Sequence, residues 1–149
     1  MTSGQRGGGR TDDAGQITVM LVGFFLVIGL LAAVVIDASA AYLRRQSLGN
    51  LADGAALAAA DGVQGSQTYA GGLDDSAVID VAVARRLVGD YLSGTGALTE
   101  DPGLRWEVSR AGDSVLVRLT APMTLPLPPP GWDGGTLVAG EAQVLLRVD

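Results

Sequence analysis

From Ile17 to Ile36 the chain runs for 20 residues without a charge, ITVMLVGFFLVIGLLAAVVI, and Thr18 carries the only polar side chain in the run. Coiled as an α-helix at about 1.5 Å per residue, such a run spans roughly the 30 Å of a bilayer's hydrocarbon core. A chain of 149 residues has room for one domain and cannot wrap this helix on every side. The pattern therefore predicts a membrane helix rather than a buried core helix. After Ile36 the pattern turns mixed, but DASAAYLRRQSLGNLADGAALAAA contains no Pro and is rich in Ala, the best helix former. Leu48, Leu51, Ala55 and Ala58 recur at helical spacing, and Gln46, Asn50 and Asp53 lie on a neighbouring polar strip. The expectation is one helix of about 45 residues, half in lipid and half outside it.

The pattern then changes again. Residues 61–76, DGVQGSQTYAGGLDDS, have no apolar period and read as loop. Ser76 is a candidate N-cap for a second helix from Ala77 to about Leu92, with Ala77, Val81, Ala84, Val88 and Tyr91 as its apolar stripe. SGTG at 93–96 ends it. Leu104, Trp106 and Val108 alternate with Arg105, Glu107 and Ser109, Val115, Val117 and Leu119 alternate with Leu116, Arg118 and Thr120, and Gly112-Asp113 sits between the two runs where a tight hairpin turn belongs. The connection PMTLPLPPPGW holds five of the six prolines and is excluded as a central strand; it reads as a stiff loop or as a polyproline ligand. A last strand, about Thr136 to Val148, brings Ala142, Val144, Leu146 and Val148 to one face. The fold class is α+β: a transmembrane helix continuing into a long Ala-rich helix, a second helix and a small, mostly antiparallel sheet, pilin-like in outline. The expected division is a leader at 1–15, the long helix at 16–60 and a small domain at 61–149.

Composition narrows the chemistry. There is no His and no Cys, and all ten basic residues are Arg. Disulfide frameworks, thiolate and imidazole metal sites, Ser-His-Asp triads, Lys Schiff bases and P-loop lysines are thereby excluded. A net charge of -6 argues against nucleic acid as a partner. Asp74, Asp75 and Asp80 lack EF-hand spacing and read as acids near a helix start, where they complement its dipole. No spacing of carboxylates singles out an acid-base pair. No cofactor, metal or small-molecule substrate is expected, and an enzyme is the weakest reading.

Three fates are open to the apolar segment. It is longer than a usual signal-peptide core, yet Ala38-Ser39-Ala40 forms a small-x-small site beyond it. It is long enough for an uncleaved anchor. Gly15-Gln16, a leader ending in Gly before an apolar helix, is how type IV prepilins begin. Arg6 and Arg10 before the run balance Arg44 and Arg45 after it, so charge leaves orientation nearly tied. The short Gly-rich tail places the N-terminus in the cytoplasm and the larger remainder outside. GQRGGGR, with no preceding strand and no Lys, reads as a flexible tail rather than a phosphate loop or RGG segment.

Asp37 at the end of the apolar run, followed by YLRRQSLGNLADGAALAAADG, resembles the N-terminal region of the TadE/TadG-like proteins of Flp pilus assembly. That family shows an apolar run ending in Asp, a basic pair, and an L-Q-N-A-A-D-A-A-A-L-A-A-A-like stretch. Leu48, Asn50, Ala52, Asp53 and the run Ala55 to Ala60 match, whereas Gly49, Leu51 and Gly54 depart. Met20 stands where pilins and many TadE-like proteins carry a Glu. The resemblance covers roughly 14–62. It implies a structural component of a Flp-type pilus or related secretion apparatus in the bacterial cytoplasmic membrane, whose partners are other pilin-type subunits. It also makes Gly15-Gln16 a candidate processing junction.

Small side chains mark where helices approach closely: Gly29 and Ala33 in the apolar run, and Ala52, Ala55, Ala56 and Ala59 beyond it. With Asp37, Asn50 and Asp53 these are the candidates for helix-helix assembly. Packing of the alanine face on the protein's own domain is the equally weighted alternative. For function, the alternative is a secreted or tethered binding module whose apolar run is only a targeting signal.

Overall fold

The computed structural model describes residues 11–69, 80–132 and 135–145. In chain order its elements are α1 (Thr11–Tyr69), α2 (Val81–Gly94), α3 (Ala97–Glu100), β1 (Arg105–Ala111), β2 (Ser114–Met123) and β3 (Thr136–Leu145). The architecture is α+β, with helices on one face of a three-stranded antiparallel sheet ordered β1-β2-β3.

With 59 residues, α1 is roughly 90 Å long if straight. It outruns the expectation at both ends, because residues 11–15, expected in the leader, and 61–69, expected as loop, are helical. At the C-terminal end tertiary packing supplies the reason: Val63 is buried, and a Cβ on Gly62 would stand 2.5 Å from Leu87 Cδ1 of α2, so the helices touch there. Contacts of this kind override the weak helix propensity of a Gly- and Ser-containing stretch. The rest of the expected loop, including Asp74, Asp75 and Ser76, lies outside the described residues.

The second helix begins at Val81 rather than at Ala77, and its cap is Asp80 rather than Ser76. Asp80 Oδ1 accepts from the N–H groups of Ala82 at 2.8 Å and Val83 at 3.4 Å, satisfying donors that the first turn leaves open. Ala84, Val88 and Leu92 form its buried face, flanked by half-buried Val81 and Tyr91, while Arg85, Arg86 and Asp90 face out. The Thr95 N–H closes the helix on the Tyr91 carbonyl, and Gly96 turns the chain at φ 79° into α3, a single turn not anticipated from the pattern.

The hairpin falls where expected. Ala111 pairs with Ser114, leaving Gly112-Asp113 as a two-residue turn. Gly112 takes φ 64°, a conformation in which a side chain would be strained. Trp106 and Val108, then Val115, Val117, Leu119 and Ala121, then Val138, Gly140, Ala142 and Val144 share the inner face. The outer face carries a cross-strand ion pair between Arg118 and Glu141.

One expectation about the prolines is corrected: Pro122 belongs to the central strand, opposite Leu137 of β3. The ladder with β1 stops at Arg105↔Thr120, so no β1 residue lies opposite Pro122 to need its missing N–H. β3 is described to Leu145; Leu146 and Val148 lie outside the described residues.

The outer half of α1 lies across β2 and β3 at close range. A Cβ on Gly140 would stand 2.5 Å from both Leu48 C and Gly49 N, so only a glycine strand position lets the helix backbone this near. Leu48, Ala52, Ala55, Ala56, Ala59 and Ala60 enter one cluster with Val88, Leu92, Val117 and Leu119. Small residues on the helix and branched ones on the sheet fill this core without large rings.

Candidate membrane anchor and assembly surface

Within α1, the apolar run is exposed on all sides. Every residue from Gly15 to Ala32 is exposed, and even Leu21 and Ile28 keep 52% and 44% of their surface. A bare cylinder of Leu, Val, Ile and Phe in water would be strongly unfavourable at about 25 cal/mol per Å² of apolar area, which points to lipid or another apolar partner as its surroundings. The helix satisfies its own backbone hydrogen bonds, the condition for crossing a bilayer core. It is the one helix long and apolar enough to cross a membrane among the described residues.

At the outer end of the run, Ile36 gives way to Asp37, and Asp37 is not left to water. Its Oδ1 accepts from the backbone N–H of Leu127 at 2.8 Å, from the proline-rich loop between β2 and β3, 90 residues away in sequence. Two turns further on, Arg44 forms an ion pair with Asp101, in the turn between α3 and β1. Both partners are partly sheltered, with side-chain exposures of 32% and 17%. Gly103 packs on Pro122 beside this turn, where its Cβ would be 2.5 Å from the ring. Hence two polar tethers and a set of close packings tie the folded part to α1 from Asp37 upward.

The candidate assembly residues divide into two groups. Gly29 is exposed and Ala33 half-buried on the apolar run, with Asn50 and Asp53 exposed on the polar strip and Asp37 half-buried at the boundary. Ala52, Ala55, Ala56 and Ala59 are each 0% exposed in the protein's own core. A helix from another chain cannot reach these four without displacing the sheet or α2. The intramolecular reading is therefore the one that the packing of these alanines supports.

Gly54, which departs from the alanine-rich pattern, also has a local reason. A Cβ there would collide with the Tyr91 hydroxyl, so the missing methyl is the seat for that ring. At the candidate processing junction, a Cβ on Gly15 would meet nothing within 4 Å, and the side chain of Gln16 is exposed. Sequence reasoning missed Leu127, Asp101 and Arg44. The signal for the first was an Asp at the end of an apolar run, which needs a donor. No spacing of 57 or 90 residues announces such a pair.

These features define a class: an α+β protein carried on one long helix, whose N-terminal half is apolar enough to anchor it in a membrane. Residues 15–62 match the family model for putative Flp pilus-assembly TadE/G-like proteins. The matched segment contains both the apolar run and the alanine face, and it supports a pilus-related role. No curated protein and no solved structure matches the chain.

Proposed function

We propose that the protein is a membrane-anchored structural component, similar to a minor pilin or pseudopilin, of a Flp-type pilus or related secretion apparatus. The single observation behind this reading is a coincidence: the TadE/G-like match at 15–62 covers the very helix whose apolar half packs on nothing that buries it among the described residues. In this reading the N-terminus lies in the cytoplasm, the helix crosses the bacterial cytoplasmic membrane, and the part beyond it is extracytoplasmic. The protein acts by assembly with other pilin-type subunits rather than by catalysis.

Inside the bilayer, lipid tails are as apolar as Leu, so helix association depends on close packing, for which small residues are needed. Gly29 and Ala33, four apart on the apolar run, make the proposed contact there. Asn50 and Asp53 extend it along the exposed strip outside. The buried alanines contribute indirectly, by holding the folded part rigidly on the helix. The Gly15-Gln16 junction is the proposed processing point of the pilin path.

The test is Gly29→Leu and Ala33→Leu in the full chain, with crosslinking to pilin-type subunits in native membranes. Leu keeps the span apolar and helix-favouring, so membrane insertion persists while bulk forces neighbouring helices apart. Loss of the crosslinked species with the protein still membrane-bound is expected. Unchanged crosslinking in both variants would remove this face from the assembly.

A further inference from the structure

We propose that the proline-rich loop joining β2 to β3 is a membrane foot: Leu127 and Trp132 enter the headgroup zone beside the anchor helix and fix the height and tilt of the folded part. The inference rests on the reading of α1 as a membrane span and adds to it a second point of lipid contact.

The first observation is depth. Asp37 directly follows Ile36, the last residue of the apolar run, and its carboxylate holds the Leu127 N–H at 2.8 Å. The loop backbone at Leu127 therefore lies at the boundary where hydrocarbon gives way to headgroups.

The second observation is chemistry. Pro122 to Trp132, PMTLPLPPPGW, contains no charge, Asp133 being the first charged residue after it, and its prolines carry no N–H to desolvate. The Leu127 N–H is satisfied by Asp37, and the Trp132 N–H donates to the Pro129 carbonyl at 3.0 Å, so neither of these two donors comes unpaired to an interface. Leu127 and Trp132 nevertheless turn outward, with 47% and 54% of their surface exposed. A large aliphatic side chain at the membrane boundary and an indole five residues further along the same proline-stiffened loop match the amphipathic interfacial zone that Trp favours.

The test uses the full chain in phosphatidylcholine/phosphatidylglycerol vesicles. There are two tryptophans and no cysteine, so Trp106→Phe leaves Trp132 as the sole tryptophan, excited selectively over the tyrosines at the red edge of absorption, and Leu127→Cys accepts an environment-sensitive fluorophore in an otherwise native chain. The second probe does not depend on the Trp106 substitution being tolerated. Each probe is challenged with lipid spin-labelled near the headgroup, lipid labelled deep in the acyl chain, and aqueous acrylamide. The proposal expects blue-shifted emission at both positions, quenched most by the shallow label. Quenching by acrylamide alone at either position, in protein that floats with the vesicles, overturns the foot and leaves the anchor standing. Emission shielded from all three quenchers means that the loop is covered by protein, which also overturns it. Protein that fails to float overturns the anchor reading itself.

Discussion

At the scale of single residues, two glycines in contact illustrate opposite demands. Gly140 has the α1 backbone 2.5 Å from where its Cβ would be, and backbone cannot step aside as a side chain can. We predict that Gly140→Ala costs about 1–3 kcal/mol, as overpacking does, and lowers the thermal midpoint in detergent. Gly49 has open space around its Cβ position inside a helix, so Gly49→Ala should leave stability unchanged or raise it by up to about 1 kcal/mol. The same measurement on the two variants checks the orientation of α1 on β3, since a rotated helix would reverse the order. Ala55 makes a third case. It is fully buried, and Ala55→Leu should therefore expose the folded part to protease, at a cost of about 1–3 kcal/mol. Retained protease resistance would show that the face has room and is not core.

At the scale of elements, α2 depends on its first turn. Removal of the acceptor by Asp80→Ala should destabilise the folded part by about 1 kcal/mol, read as a shift in the denaturant midpoint without a change in slope. The start of this element also shows where sequence reading stops. Asp74, Asp75, Ser76 and Asp80 are all competent caps, and local chemistry does not choose among them; Asp80 is the one that bonds to the first turn. The apolar run was legible because 20 uncharged residues admit few alternatives. The hairpin was legible because strand alternation and Gly112-Asp113 agree on one register. The extension of α1 to Tyr69 was not, since Val63 and Gly62 favour helix only once α2 is beside them. Nor was Pro122 in the central strand, which is tolerated because β1 ends short of it. The tether of Leu127 to Asp37 is longer in range than any pattern window, and so the foot of the folded part had no trace in local spacing.

At the scale of the whole molecule, one helix in the proposed reading serves two environments, with lipid for its first half and the protein's own sheet for its second. This division explains why the alanine face and the apolar run sit on one continuous element. The first holds the folded part to the helix, and the second holds the helix in the membrane. The proposed orientation predicts that a cysteine at exposed Ser93, in a chain without its own, reacts with a membrane-impermeant reagent in intact cells. Labelling only after lysis would place the folded part on the cytoplasmic side. The anchoring itself, on which the rest depends, is tested most directly by washing membranes with high salt and then alkaline carbonate. Apolar burial is insensitive to ionic strength, whereas a peripheral electrostatic contact is screened away. The intact protein should stay with the membrane pellet through both washes; its release into the supernatant would contradict the account.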